Sequence, residues 1–244
     1  MSVSEKNMDN TPVRVPFYKR WTAVKPMPNA ADKKFYQITA IVGGGVALLS
    51  MILLLIFFRG MDAAYTWSAL ALGLGSAVFY ALAYFRYELP NLEIMQRAAD
   101  AAIYLTVFSA YTPLQLLLIR LDLYENGSIV CGWVSFGLVA LFSAVFFIAS
   151  LAAKKKFRML GSFFYILMAF SLLFGVYALC NAMFFAPWLA IILMIVAILS
   201  FAATPVLFWF FDGFDWQMKV IYILTAVGTF ACSLMTVLYA ICGI

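Results

Sequence analysis

Long stretches of this chain carry no charge at all, and that constrains it more than any motif does. Ten of its 27 charged side chains lie within the first 34 residues: Glu5, Lys6, Asp9, Arg14, Lys19, Arg20, Lys25, Asp32, Lys33 and Lys34. The remaining 210 residues carry only 17 charges, gathered in short clusters between uncharged runs. A water-soluble fold needs a polar face on each surface element. A chain that is 66% apolar cannot supply one, when an ordinary soluble domain has roughly 45–50%. The pattern excludes a soluble enzyme, a nucleic-acid-binding protein and a disordered chain, and it defines an all-α integral membrane protein.

A helix crosses the hydrocarbon core with about 20 mostly apolar residues. Seven stretches meet that requirement, at roughly 37–58, 63–85, 98–119, 129–153, 158–180, 185–209 and 217–242. Short polar or charged separators lie between them. Lys154-Lys155-Lys156 and Arg158 forbid reading the fourth and fifth stretches as one helix, because clustered cations belong outside hydrocarbon. With seven spans, the N-terminus and the second, fourth and sixth loops share one side. That side holds 14 of the 16 Lys and Arg residues, leaving Arg59 and Arg120 opposite. Basic residues are retained on the cytoplasmic side, so the sequence predicts a seven-helix bundle in the cell membrane with its N-terminus inside. Residues 1–36 read as a polar cytoplasmic segment without fixed structure, and 37–244 as the transmembrane domain. No short apolar run followed by a small-residue cleavage site suggests a cleavable signal. Membrane lipids are the expected partners, and nucleic acid is not.

Polar groups at membrane depth are costly and point to function. Asp100 is the one acid inside a predicted span, three residues after Arg97. It is either an interfacial carboxylate paired with Arg97 or a buried carboxylate facing the bundle interior, and so the one candidate catalytic group. Tyr111-Thr112-Pro113 lies in mid-span, where proline removes the amide that would bond the Ser109 carbonyl. Thr112 or a neighbouring helix could satisfy that carbonyl, so the motif reads as structural, as does Pro205. Gly43-Gly44-Gly45, Gly73, Gly75 and Ser76 permit close helix approach. The 43 aromatic residues suit interfacial belts. Cys131, Cys180 and Cys242 fall near the outer ends of spans four, five and seven. They read either as small apolar residues or as disulfide partners in an oxidising compartment. The chain contains no histidine, so the commonest metal ligand and neutral-pH acid–base group is missing.

The run Arg97-Ala98-Ala99-Asp100-Ala101-Ala102-Ile103-Tyr104-Leu105, followed by Tyr111-Thr112-Pro113, resembles the third-helix signature of the hemolysin III family. That family is the bacterial branch of the progestin and adipoQ receptor superfamily. Weaker echoes are Ser76-Ala77-Val78-Phe79-Tyr80 for the end of helix two, Cys131-Gly132-Trp133 for helix four and Val227-Gly228 for helix seven. The resemblance implies seven spans and a zinc ion held by one histidine in helix two and two in helix seven. Tyr80, Met218 and Tyr222 stand at those three positions here, and Tyr36 and Thr39-Ala40 stand where the family has polar residues near helix one. Zinc takes imidazole, thiolate or carboxylate ligands. The expectation is therefore a member that has lost its metal centre and binds no cofactor. It keeps a cytoplasm-facing pocket built from Ser76, Tyr80, Asp100, Met218 and Tyr222. The function this suggests is binding of a lipid or small molecule, or a membrane-integrity role. Two alternatives stay open: a zinc-dependent lipid-amide hydrolase with unusual ligands, and a small proton-coupled transporter using Asp100.

Overall fold

Short separators leave each helix little choice but to pack against the one before it. The computed structural model of the protein describes residues 30–59, 63–86, 92–124, 130–152, 157–175, 187–210 and 216–242. These residues form α1 (Ala30–Phe57), α2 (Ala63–Phe85), α3 (Leu92–Tyr124) and α4 (Val130–Ala152). They continue as α5 (Phe157–Phe170), a 3-10 turn (Ser171–Gly175), α6 (Pro187–Phe210) and α7 (Gln217–Cys242). Each helix contacts the next, and α1 returns to pack on α7, closing a ring in chain order. Helix α3 is the innermost element, touching α5 and α7 as well as its sequence neighbours.

Every predicted span coincides with a helix, but the spans are not all alike. Among the described residues, five helices rather than seven are long and apolar enough to cross a membrane, at 33–57, 63–85, 133–152, 188–207 and 217–239. Helix α3 is not among them over its described side chains, which include Arg97, Asp100 and Gln115. Its side chains between Ala101 and Gln115 are nearly all buried, so protein rather than lipid surrounds them and polar types are tolerated. Thr106, Ser109, Thr112 and Gln115 are all buried there. Helix α5 has only 14 residues before it tightens into the 3-10 turn. The first helix begins at Ala30, seven residues before the expected boundary, because Ala30-Ala31-Asp32-Lys33-Lys34 carries good helix formers past the apolar run.

The outward faces are strongly apolar: Ile38, Ile56, Leu74, Ile148 and Leu199 are each at least 60% exposed. Water would not tolerate so continuous an apolar surface, which suits a membrane protein. Trp67, Trp133 and Trp188, near the starts of α2, α4 and α6, are exposed as well. Residues 1–29, Lys154-Lys155-Lys156 and Cys180, and the side chains of Cys131 and Cys242, lie outside what is described.

Hydrogen bonds between helices concentrate where α5 breaks. Tightening to i→i+3 bonding leaves carbonyls without their usual donors. The Tyr111 hydroxyl donates to the Ala169 carbonyl (3.0 Å), and Ser171 Oγ donates back to the Met168 carbonyl (2.6 Å). Ser135 Oγ of α4 donates to the Ser171 carbonyl (3.1 Å) and accepts from Gln115 Nε2 (3.0 Å). Tyr111 thus has a specific structural task. Thr112 differs from expectation: its hydroxyl donates to the Phe108 carbonyl (2.6 Å), one residue before the one that Pro113 frees. Helix α3 runs unbroken through Pro113. Thr204-Pro205 in α6 repeats the pattern, Thr204 donating to the Ser200 carbonyl (3.2 Å).

Candidate functional site

The start of α1, the end of α2 and the start of α7 meet at one end of the bundle, and aromatic rings mark the junction. The Tyr222 ring makes edge contacts with Tyr36 of α1 at 5.9 Å and with Phe79 of α2 at 5.8 Å. Offset and T-shaped geometries are those that aromatic quadrupoles favour. Slightly nearer the rim, Lys219 Nζ stands 5.4 Å from the centre of the Phe35 ring, a cation–π contact between α7 and α1.

Tyr80 follows Ser76 by one turn, so both project from one face of α2. The Tyr80 ring lies directly on α1 at Gly43, where any Cβ would fall within the ring. Glycine is required there by close approach. One turn earlier, a Cβ on Gly75 would meet Ser109 Oγ of α3 at 2.8 Å, so small residues fit α2 against both neighbours.

The five residues proposed for the pocket are placed as follows. Ser76, Tyr80, Met218 and Tyr222 are all buried, with at most 4% of each exposed. Tyr222 joins α1 and α2 through its ring contacts, and Met218 lies one turn before it on α7. Asp100 sits about 12 Å along α3 from Leu92, and it pairs with Arg86, at the end of α2, rather than with any of the other four. An Arg86 Nη1 donates to Asp100 Oδ1 at 3.2 Å, with Arg86 3% and Asp100 31% exposed. The pair links the end of α2 to α3, its cation held inside and its carboxylate nearer the surface.

Two features of this end went unread in the sequence. Arg86 entered only as a topogenic charge, although a carboxylate at membrane depth asks for a cation and α2 ends with one. Gly43 entered only as a small residue, although a bare backbone can be the seat of an aromatic ring on the next helix. At the other end of the bundle, Gln115 and Ser135 carried a signal that was passed over, an amide and a hydroxyl at membrane depth.

Polar satisfaction divides the buried groups. Along α7, Thr225, Thr229, Ser233 and Thr236 each donate to a carbonyl in the preceding turn of their own helix, at 2.8 Å throughout. By contrast, Ser76 Oγ and Tyr80 Oη are fully enclosed and have no hydrogen-bond partner, and neither has Gln115 Oε1. Leaving a buried polar group unmet costs about 1–3 kcal/mol, so such groups usually mark where a water or ligand is accommodated.

The donor set does not fit zinc. Tyr80, Met218 and Tyr222 offer phenols and a thioether, and the one carboxylate among the described side chains, Asp100, is engaged by a guanidinium. Among the described residues, no three His, Cys, Asp or Glu side chains gather closely enough to hold a metal ion. What this end offers chemically is neutral hydrogen bonding between aromatic walls.

No family model, curated protein or solved structure matches the chain.

Proposed function

We propose that the chain is a hemolysin III-like protein of the cell membrane that crosses seven times with its N-terminus in the cytoplasm. In this reading it has given up the family's zinc centre and holds a lipid or other small molecule where α1, α2 and α7 meet. The observation that carries the reading is the pair of enclosed hydroxyls, Ser76 Oγ and Tyr80 Oη, that no protein group satisfies. Both belong to the segment through which the sequence resembles the family's second helix.

Two further observations support the span count and orientation. Helix α5 and its 3-10 continuation, 14 and 5 residues, together reach about 31 Å, close to the thickness of the hydrocarbon core. Exposed Trp67, Trp133 and Trp188 near the starts of even-numbered helices would form an interfacial belt. Lys33, Lys34, Arg86, Arg97 and Lys219 belong to the opposite end, where the positive-inside rule would place the cytoplasm.

Native mass spectrometry of the full chain, released from mild detergent, tests the ligand. A bound small molecule should accompany the wild type and be lost from the Ser76→Ala/Tyr80→Phe double variant. A wild type that flies bare under conditions retaining ordinary lipid adducts refutes the reading. Reporter fusions test the topology: a C-terminal alkaline phosphatase should be active and a C-terminal fluorescent protein dark.

A further inference from the structure

The charges around Ser76 and Tyr80 restrict which molecule the site accepts, an inference that rests on the ligand-binding reading above. Among the described residues, Arg86 is the one charged side chain in the fully buried class. Its guanidinium is turned to Asp100 at 3.2 Å. Lys219 stands at the rim, its Nζ 5.4 Å over the Phe35 ring, and the groups deeper in the junction are neutral: the hydroxyls of Ser76 and Tyr80, the rings of Tyr36, Phe79 and Tyr222, and the thioether of Met218. Thr225, one turn beyond Tyr222, spends its proton on the Ile221 carbonyl.

We propose that Ser76 and Tyr80 receive the hydroxyl of a neutral amphiphile, an uncharged alcohol headgroup on an apolar body, and that charged lipids are disfavoured. A fatty carboxylate or an alkylammonium would leave water for a place whose one buried cation is already paired, and an ion buried without its own partner is strongly penalised. A hydroxyl needs no counter-charge. Each unmet protein hydroxyl can give one hydrogen bond and accept others, so a group with both a proton and lone pairs can complete it in either direction. An alcohol has both and brings no charge; a carboxylate could accept from the two hydroxyls but would bury its charge, and an ammonium has no lone pair to accept with. The apolar body would lie against ring faces.

The full chain, stripped of co-purified lipid and placed in nanodiscs of zwitterionic lipid, can be titrated with 1,2-dioleoylglycerol, oleate and oleylamine, one alcohol, one anion and one cation. Dioleoylglycerol should bind at least tenfold more tightly than either charged probe. Tyr80→Phe, which removes one hydrogen bond, should weaken dioleoylglycerol roughly fivefold and leave oleate unchanged. Ser76→Ala should do the same, and guards against a Tyr80 variant that folds poorly. Oleate or oleylamine binding as tightly as dioleoylglycerol overturns the proposed class while leaving a ligand site in place. Dioleoylglycerol binding that neither substitution weakens also overturns it. Binding of none of the three probes overturns the ligand-binding reading together with the class.

Discussion

Tyr111→Phe removes one oxygen atom from the centre of the bundle and isolates the worth of the bond that fastens the α5 break. Tyr111 is completely buried, and its hydroxyl is 3.0 Å from the Ala169 carbonyl, 58 positions away in sequence. Phenylalanine fills the same space, so no cavity confuses the result. Inter-helix hydrogen bonds in membrane proteins are worth about 0.6 kcal/mol on average and up to about 1.7 kcal/mol. Ala169 lies where α-helical bonding gives way to the 3-10 turn, so its carbonyl also loses its outside donor, and stranding a buried acceptor costs about 1–3 kcal/mol. The expected loss is therefore about 1–2 kcal/mol. At about 2–4 °C per kcal/mol for a chain of this size, the thermal unfolding midpoint in detergent should fall by roughly 2–8 °C. The control is Tyr80→Phe in lipid-stripped protein, the same substitution at a buried tyrosine whose hydroxyl bonds nothing. It should stay within about 0.5 kcal/mol of wild type. Equal destabilisation by the two substitutions would show that the Tyr111 bond does not hold the break, and would sink the reasoning.

The glycines of α1 separate sharply. Gly43→Ala forces a methyl into the Tyr80 ring and should cost about 1–3 kcal/mol through overpacking, relieved when combined with Tyr80→Ala; Gly45→Ala, with nothing within 4 Å of its Cβ position, should be neutral or gain up to about 1 kcal/mol of helix propensity. A double-mutant cycle on Arg86→Met and Asp100→Leu should show a coupling of about 0.5–3 kcal/mol, with Asp100→Leu the more harmful single change because it takes the carboxylate from the guanidinium, the more buried of the two charges (3% against 31% exposed); additive effects would mean that the 3.2 Å contact contributes nothing. Ser135→Ala should destabilise more than Gln115→Leu. The alanine strands both the Ser171 carbonyl and the Gln115 amide, whereas leucine also removes the amide oxygen that is already unmet.

Element existence was legible because it depends on one strong signal, the run length of apolar residues between charges. All seven predicted stretches lie on helices, and four of them match to within a few residues at both ends. What failed to show was the environment of each helix. Helix α3 and the lipid-facing helices read alike in the sequence, since burial in protein and burial in lipid both favour apolar side chains. The break in α5 was also hidden: Ser171 is an ordinary small residue until Ser135 and Tyr111 are brought to it from other helices. At the site, Ser76 and Tyr80 could be named from the sequence, and their one-turn spacing followed from the helix. The roles of Arg86 and Gly43 are tertiary, set by which side chain arrives from α3 or α2, and no local pattern encodes that arrival.

The two kinds of hydrogen bonding seen here tie the helices together to different degrees. Thr225, Thr229, Ser233 and Thr236 close their bonds within α7, so that helix can shift or roll past its neighbours without breaking any of the four. The 3-10 turn after α5 has no such freedom, because its carbonyls are gripped from α3 and α4. Any rearrangement at the junction of α1, α2 and α7 therefore has its anchor at that break on the far side, while α7 would have to release the Gln217 bond to the Leu207 carbonyl and its ring contacts with α1 and α2.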